Sequence, residues 1–280
     1  MSEQTYNFKI GEIECIAIRD FGSITQITEE YYPNTTGEEI RQSISKLGYD
    51  AEKFPTACIP LLIKAGVKTI LIDAGNDQTE DGESGRLLVN LRAEGIAPEE
   101  IDIVVITHGH SDHFDGLVDT NGDLTYPNAQ YITWKSEWDY WMGDPPSIEQ
   151  FGAEYILLMK MKMMPIEDKL TLLEEETEIA PGVHLVIMAG HTPGQCGVLV
   201  ESDGEKLLAM ADAAHKPMQL QHPEWHFAAD VDGDAAAHTR HELFRRAAEE
   251  KLLVHFYHFP FPGLGHVVAD GDAWKWQPLE

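Results

Sequence analysis

Cysteine is scarce in these 280 residues: Cys15, Cys58 and Cys196 are the whole set. An odd number without short pairwise spacing speaks against a disulfide framework, a thiolate zinc knuckle and a dithiol redox pair, and fits a reducing compartment. Basic charge is scarce too. Twenty lysines and arginines face 48 aspartates and glutamates, for a formal net charge of −28. Such a field repels polyanions, so nucleic acid is not an expected partner. No apolar run approaches the roughly 20 residues needed to cross a bilayer, so no membrane partner is expected either. Met1-Ser2-Glu3-Gln4-Thr5 holds no basic stretch followed by an apolar run. No signal peptide is therefore expected, and a cytoplasmic location is. With 43% hydrophobic residues the chain reads as globular, and its length suits one domain over residues 1–280 with a sizeable core.

Histidine, by contrast, is abundant, with 13 residues. Four potential metal ligands crowd into the stretch Thr107-His108-Gly109-His110-Ser111-Asp112-His113-Phe114-Asp115-Gly116. A run that reads as a buried strand, 101–106, delivers them. Side chains two apart on extended backbone point the same way, so His108 and His110 can share one ion. A helix is expected to begin after Ser111, capped by Ser111 or Asp112, which would aim Asp112 and His113 at a second ion nearby. Imidazole and carboxylate donors without thiolate suit zinc, iron, manganese or cobalt.

The same device recurs along the chain. Apolar strands over 183–189, 206–210 and 252–257 lead to His191, Asp212 and His258, and together with His108 these could converge on one edge. Elsewhere, residues 6–20 read as one or two strands, and Thr36-Gly37-Glu38-Glu39 as a capping box before a helix. Residues 58–64 and 68–73 form a hairpin signal, and a polar loop is expected over 76–85. A helix over 87–93 precedes the metal-ligand strand, and 129–134 reads as another strand. Residues 197–201 and 206–210 read as a second hairpin. A helix over 234–250 is expected with Asp234 as its cap, and 252–257 as the last strand. Between 134 and 164, Trp134, Trp138 and Trp141 fall at helical spacing, and Met159, Met161, Met163 and Met164 follow near Phe151 and Tyr155. That segment is either a helix packed on the core or a lid or dimer surface. Strands followed by helices in each half suggest an α/β sandwich of two packed sheets with helices outside.

Thr107 to Gly116, Gly190-His191-Thr192-Pro193-Gly194, Asp212 and the hairpin strand Thr69-Ile70-Leu71-Ile72-Asp73-Ala74-Gly75 resemble the metallo-β-lactamase superfamily. The stretch His258-Phe259-Pro260-Phe261-Pro262-Gly263-Leu264-Gly265-His266 is similar to the branch that holds methyl parathion hydrolase and the quorum-quenching lactonases. The resemblance covers residues 58–268 and implies the αββα fold, of two mixed β-sheets with helices on the outer faces. It also implies two divalent ions, zinc first, with His108, His110 and His191 on one and Asp112, His113 and His258 on the other. Asp212 would bridge them. Asp73 would orient a ligand, and His266 would lie near the pocket. Asp115 and Gly116 would shape the helix start. His184, His222, His226, His238, His241 and His255 match no motif position. The branch further implies a homodimer.

Lactam-cleaving members lack the bridging carboxylate, which turns the expectation away from penicillins. Such a carboxylate holds two cations roughly 3.5–4 Å apart, and a water between them ionises near neutral pH to attack an ester carbon or phosphorus. The expected function is a two-metal hydrolase of small neutral aryl esters, lactones or organophosphate triesters. A thioesterase of the glyoxalase II type should carry a C-terminal basic cluster, yet residues 259–280 hold only Lys275. A non-hydrolytic di-metal protein is the other alternative. Three residues past Asp212, where lactonases of this branch commonly carry tyrosine, stands His215. That is nearer the methyl parathion hydrolase pattern, and it makes His215 a candidate substrate contact. An imidazole there could donate, accept or carry charge.

Overall fold

The computed structural model describes residues 4–77, 85–143 and 152–279. The first sheet takes strands β1 (Thr5–Ile10), β2 (Ile13–Ile18), β5 (Leu61–Ala65), β6 (Lys68–Ile72), β7 (Ile103–Val105), β8 (Gln130–Trp134) and β9 (Leu170–Leu173), in that order. The second takes β10 (Thr177–Ala180), β11 (Val183–Ile187), β12 (Cys196–Ser202), β13 (Glu205–Ala209), β14 (Leu253–His255), β15 (Leu264–Asp270) and β16 (Ala273–Pro278). A separate hairpin, β3 (Phe21–Thr25) with β4 (Phe54–Cys58), stands beside them. In each sheet the first four strands are antiparallel and the fifth joins in parallel through a helical crossover.

Strand alternation explains the layering. Ile70, Ile72, Ile103 and Val105 point inward and meet Val198, Val200, Leu207 and Ala209 of the other sheet. Leu71 and Val104, one residue out of phase, point outward to Leu87 and Leu91 of α2 (Leu87–Ala93). Leu208 and Val254 likewise face Leu243 and Phe244. Because both faces are covered, these strands read as continuous apolar runs and not as alternating ones. The result is a mixed α/β sandwich with outer helices. Helix α1 (Gly37–Lys46) opens on the capping box, with reciprocal Thr36 and Glu39 bonds, and packs Ile40 and Ile44 against Phe54 and Met218.

Several local expectations need correction. The metal-ligand helix α3 (Ser111–Phe114) is one turn long, and its N-cap is His110, not Ser111 or Asp112. The His110 ring is committed to the cavity, so the cap makes no side-chain bond. Asp115 and Gly116 follow this turn and do not start it. Trp134 ends β8 and enters the inter-sheet core, whereas α4 (Lys135–Met142) sends Trp141 to the outer core, so the three tryptophans do not form one helical stripe. In α5 (Ala153–Met163), Ile156, Met159 and Met163 are buried while Leu157 and Met161 are exposed. Most of the expected 76–85 loop, and Phe151, lie outside the described residues. Beyond the four-residue helix α6 (Met218–Gln221), helix α7 (Gly233–Glu250) is capped by Asp232, whose Oδ1 accepts the Ala235 amide. Asp234 sits inside that first turn, where its charge suits the helix dipole. Strand β14 is not the last, since the β15–β16 hairpin follows it.

One buried group makes acid stability readable. His255, on β14, is 3% exposed, its Nε2 has no hydrogen-bond partner, and burial lowers its pKa to about 3. An unfolded histidine titrates near 6.5. The folded value is the depressed one, so the stability is complete above about pH 6.5 and drains as pH falls toward 3. By linkage, about 2 kcal/mol should go between pH 8 and pH 5 on this residue's account. His255→Leu should flatten that limb in urea unfolding at the two pH values. An unchanged pH slope would show that His255 is not buried as a neutral imidazole.

Candidate metal centre

The centre is assembled from chain ends. His108 lies three residues past β7, His191 four past β11, Asp212 three past β13, and His258 three past β14. Strands β13 and β14 are neighbours and β7 sits in the facing sheet, so these ends meet at one edge of the sandwich. In one group, His110 Nδ1 stands 3.1 Å from His108 Nε2 and 2.9 Å from His191 Nε2. Asp212 Oδ2 is 3.8 and 3.6 Å from the same two Nε2 atoms. In the other, Asp212 Oδ1 is 3.4 Å from His113 Nε2, and Asp112 Oδ2 is 3.2 Å from His258 Nε2. Asp212 Oδ2 also lies 3.2 Å from His258 Nε2. Nitrogen or oxygen atoms bound tetrahedrally to one ion stand roughly 3.3 Å apart, and these spacings bracket that value.

The donor set fits divalent cations on three further grounds. First, His113 Nε2 and Asp212 Oδ1 are buried without a hydrogen bond, a costly state for polar atoms that nothing else fills. Second, four of the five histidines have their far nitrogen held so that Nε2 faces the centre. Thr107 Oγ1 donates to Asp73 Oδ2 at 2.9 Å and lies 3.1 Å from His108 Nδ1, whose proton it can accept. His113 Nδ1 meets Asp73 Oδ2 at 2.7 Å, His191 Nδ1 meets Asp230 Oδ1 at 2.8 Å, and His258 Nδ1 donates to the Ala57 carbonyl at 3.0 Å. Third, the electrostatics call for positive charge. Burial keeps His108 and His110 neutral. At His113 and His258 burial also opposes charge, but the carboxylates, Asp212 foremost, outweigh it and raise both well above the usual value.

The arrangement brings together Asp73, His108, His110, Asp112, His113, His191, Asp212, His215 and His258. It does not bring His266, which sits on β15 with Nδ1 bonded to the Leu252 carbonyl and lines a different cavity. That residue follows the β14–β15 connection back along the strand, away from the edge where the ligands lie. His215 lines the cavity of about 320 Å3 above the ligands, stacked 3.6 Å from the Phe227 ring. Its Nε2 is 3.1 Å from Asp212 Oδ2 but makes no hydrogen bond there. Burial lowers its pKa to about 3, so the charged form admitted by sequence reasoning is not the one present near neutral pH.

Three supporting residues escaped sequence reasoning. Asp230, besides holding His191, accepts the Phe227 amide at 2.8 Å and faces the buried Arg240 at 3.6 Å. Arg240 in turn donates to the carbonyls of Ala213, Pro223 and Trp225. Its signal was a charge inside the apolar stripe Ala236, Leu243, Phe244, Ala247. The third is Glu137, on α4. Its Oε1 accepts the Gly109 amide at 2.8 Å and Trp141 Nε1 at 2.6 Å. Its Oε2 accepts Thr192 Oγ1 at 2.7 Å and the Gly194 amide at 2.9 Å. Four donors leave no room for a proton, so the carboxylate is ionised although burial pushes its pKa up. Glycine is required at 109 because a Cβ would run into Trp141 and Met159, and at 194 because it would strike the Glu137 backbone.

Glu137 thus staples the His108–His110 loop to the His191 loop. Glu137→Gln keeps the shape but leaves two donors without an acceptor. The expected cost is about 1–3 kcal/mol in thermal or urea unfolding. Metal content at limiting metal should also fall below that of the wild type, read by elemental analysis. Wild-type stability with full metal content would remove the staple role.

Comparison with known proteins agrees with this geometry. The profile described as Metallo-beta-lactamase superfamily matches residues 60–277. An N-acyl homoserine lactonase of Bacillus cereus is 26% identical over 176 residues, 63% of this chain, and the match spans only 63% of that relative's own length. Among solved structures, AidC, a dizinc quorum-quenching lactonase in complex with a product, superposes with a TM-score of 0.89 at 26% identity, covering 99% of this chain and 98% of that one. AbOPH, described as a hydrolase in the beta lactamase superfamily, gives 0.87 at 25% identity, covering 100% and 99%. The chain belongs to the metallo-beta-lactamase superfamily.

Proposed function

We propose that this protein is a two-metal hydrolase of small neutral esters, with lactones first and aryl esters and organophosphate triesters as further substrates. The observation that carries the reading is the sharing of Asp212 by two groups of ligand atoms on the floor of one cavity. The AidC and Bacillus lactonase similarities support the lactone arm. His108, His110 and His191 would hold one ion, and Asp112, His113 and His258 the other, with Asp212 between them; zinc suits these donors best. Ions bound there supply Lewis acidity toward water and toward the ester oxygen. The chain does the rest. Asp73, Asp230 and the Ala57 carbonyl keep the imidazoles turned with Nε2 inward. Tyr31, Tyr155 and Phe227 wall the cavity and keep bulk water from the reacting ester. No serine or cysteine nucleophile is needed, and Cys196 is fully buried away from the cavity.

A homodimer has a candidate surface in Leu157, Leu158, Met161 and Met164, which are exposed along α5 and the turn that follows it. Three free, buried cysteines fit a reducing cytoplasm.

The test is a metal-depletion and substrate screen. Exhaustive chelation should abolish turnover of lactones and p-nitrophenyl esters, and added divalent metal should restore it. Asp212→Ala should lose both ions and bring activity to background. Two retained ions in an active Asp212→Ala protein would sink the shared-carboxylate reading.

Substrate preference is tested at His215. The imidazole is a neutral cavity wall, flat against Phe227, and tyrosine would put a phenol donor further into the space. His215→Tyr should raise the lactone-to-phosphotriester ratio of kcat/KM about tenfold, the effect of one added hydrogen bond. An unchanged ratio at matched metal content would place His215 outside substrate contact.

A further inference from the structure

The geometry points to a second subsite in the cavity, in which Lys216 takes a carboxylate carried on the non-reacting arm of the substrate. The inference rests on reading the cavity as an ester-hydrolysing site and extends that reading from neutral esters to esters that carry one anionic arm. Lys216 is 4% exposed and is the one lysine or arginine among the residues that line the cavity. Its Nζ donates to the His258 carbonyl at 3.3 Å and stands 5.9 Å from the centre of the Phe54 ring. An amine carries three N–H donors when charged and two when neutral. Among the described residues the His258 carbonyl is the one acceptor bonded to it, so at least one donor remains on this cavity-lining side chain in either state. Unfilled donors in a buried position are disfavoured unless a ligand fills them.

The placement is built. Gln219 Oε1 accepts the backbone amides of both His215 and Lys216, at 2.7 and 3.2 Å, and its Nε2 donates to the Trp225 carbonyl. Pro217 follows directly and caps α6. The segment from Asp212 to Lys216 is therefore fixed, and the amine stands at a set place relative to the metal ligands. Charge argues for an anionic group. Asp112 and Asp212 line the same cavity, and with the ions proposed at its floor drawing the ester end, Lys216 is the side-chain amine left for a carboxylate at the other end. The other walls, Thr25, Tyr31, Thr56, Tyr155 and Phe227, are neutral. A site that hydrogen-bonds a substrate group rejects the analogue that lacks it far more strongly than an apolar wall can.

The experiment uses the metal-loaded full chain with two substrates, the mono-p-nitrophenyl ester of glutaric acid and p-nitrophenyl butyrate. Lys216→Met should lower the ratio of kcat/KM, glutarate ester over butyrate, about tenfold or more, carried by KM. Lys216→Gln, which keeps a donor for the His258 carbonyl, should lose the same preference, and Lys216→Arg should keep part of it. Calorimetric titration of glutarate should show the affinity falling by about the same factor in the Met and Gln variants at equal metal content. An unchanged ratio and unchanged glutarate affinity in Lys216→Gln would make Lys216 a structural cation and overturn the subsite. Should the wild type bind two ions yet turn over neither ester, the hydrolase reading fails. The glutarate titration would then decide the subsite alone.

Discussion

Mutual repulsion is the constraint behind this structure. Five imidazoles and two carboxylates share a space in which ligand atoms stand about 3–4 Å apart, mostly out of water. Such a cluster holds only if each group is fixed from behind and if positive charge lies at its middle. The carboxylates raise His113 and His258 toward the charged form, which shows the same demand met by protons that divalent ions would meet better. The supporting shell is therefore as much a part of the centre as the ligands. The side chains of Asp73, Asp230, Glu137 and Arg240 are all buried, and each binds a candidate ligand or a loop that carries one.

Two of the four non-glycine residues with positive φ among the described residues lie at this centre. Asp73 and Ala211 adopt left-handed conformations, with φ of 63° and 44°, although neither is glycine. Such residues cost about 1–3 kcal/mol and persist where the surroundings over-determine them. Asp73 is held by its amide on the Val105 carbonyl and by three bonds to its carboxylate. Ala211 directly precedes Asp212, where the chain must leave β13 and present a carboxylate within a residue. The sandwich contributes stiffness: β7 and β13 are covered on both faces, so the loops they launch start from fixed points.

The layered fold was legible because it follows from local pattern, and the candidate ligands that the structure gathers were named from strand-end pattern and from resemblance. Apolar runs with a candidate ligand one or two residues past the end say where strands stop and what they present. The supporting shell was far less legible. Asp73 came only through resemblance, and Asp230 follows no strand signal. Glu137 lies 28 residues from one partner and 57 from another. Arg240 and the Glu137–Trp141 pair did leave a trace, a charged residue at helical spacing on an apolar face, which reads as a surface charge until the face is known to be buried. The His266 expectation failed for a related reason. The Asp270-Gly271-Asp272 turn marks a hairpin that carries His266 away along β15.

Substrate choice is the least legible layer, and the cavity wall shows why. Thr25 and Thr56 come from the β3–β4 hairpin, Tyr31 from the connection between β3 and β4, Tyr155 from α5, His215 and Lys216 from the turn after Asp212, and Phe227 from the loop before α7. None belongs to the strands that lead to the candidate metal ligands; they lie on the β3–β4 hairpin, on α5 and on connecting loops, outside the two main sheets. The candidate ligands follow strand ends held by the core, whereas the wall follows loops and peripheral elements. One superfamily can therefore keep its centre while its walls diverge. In this chain the wall's distinguishing groups are a neutral imidazole stacked on Phe227 and a buried amine beside His258. Both lie within four residues of Asp212, so the turn that sets the shared carboxylate also sets the chemistry facing the substrate.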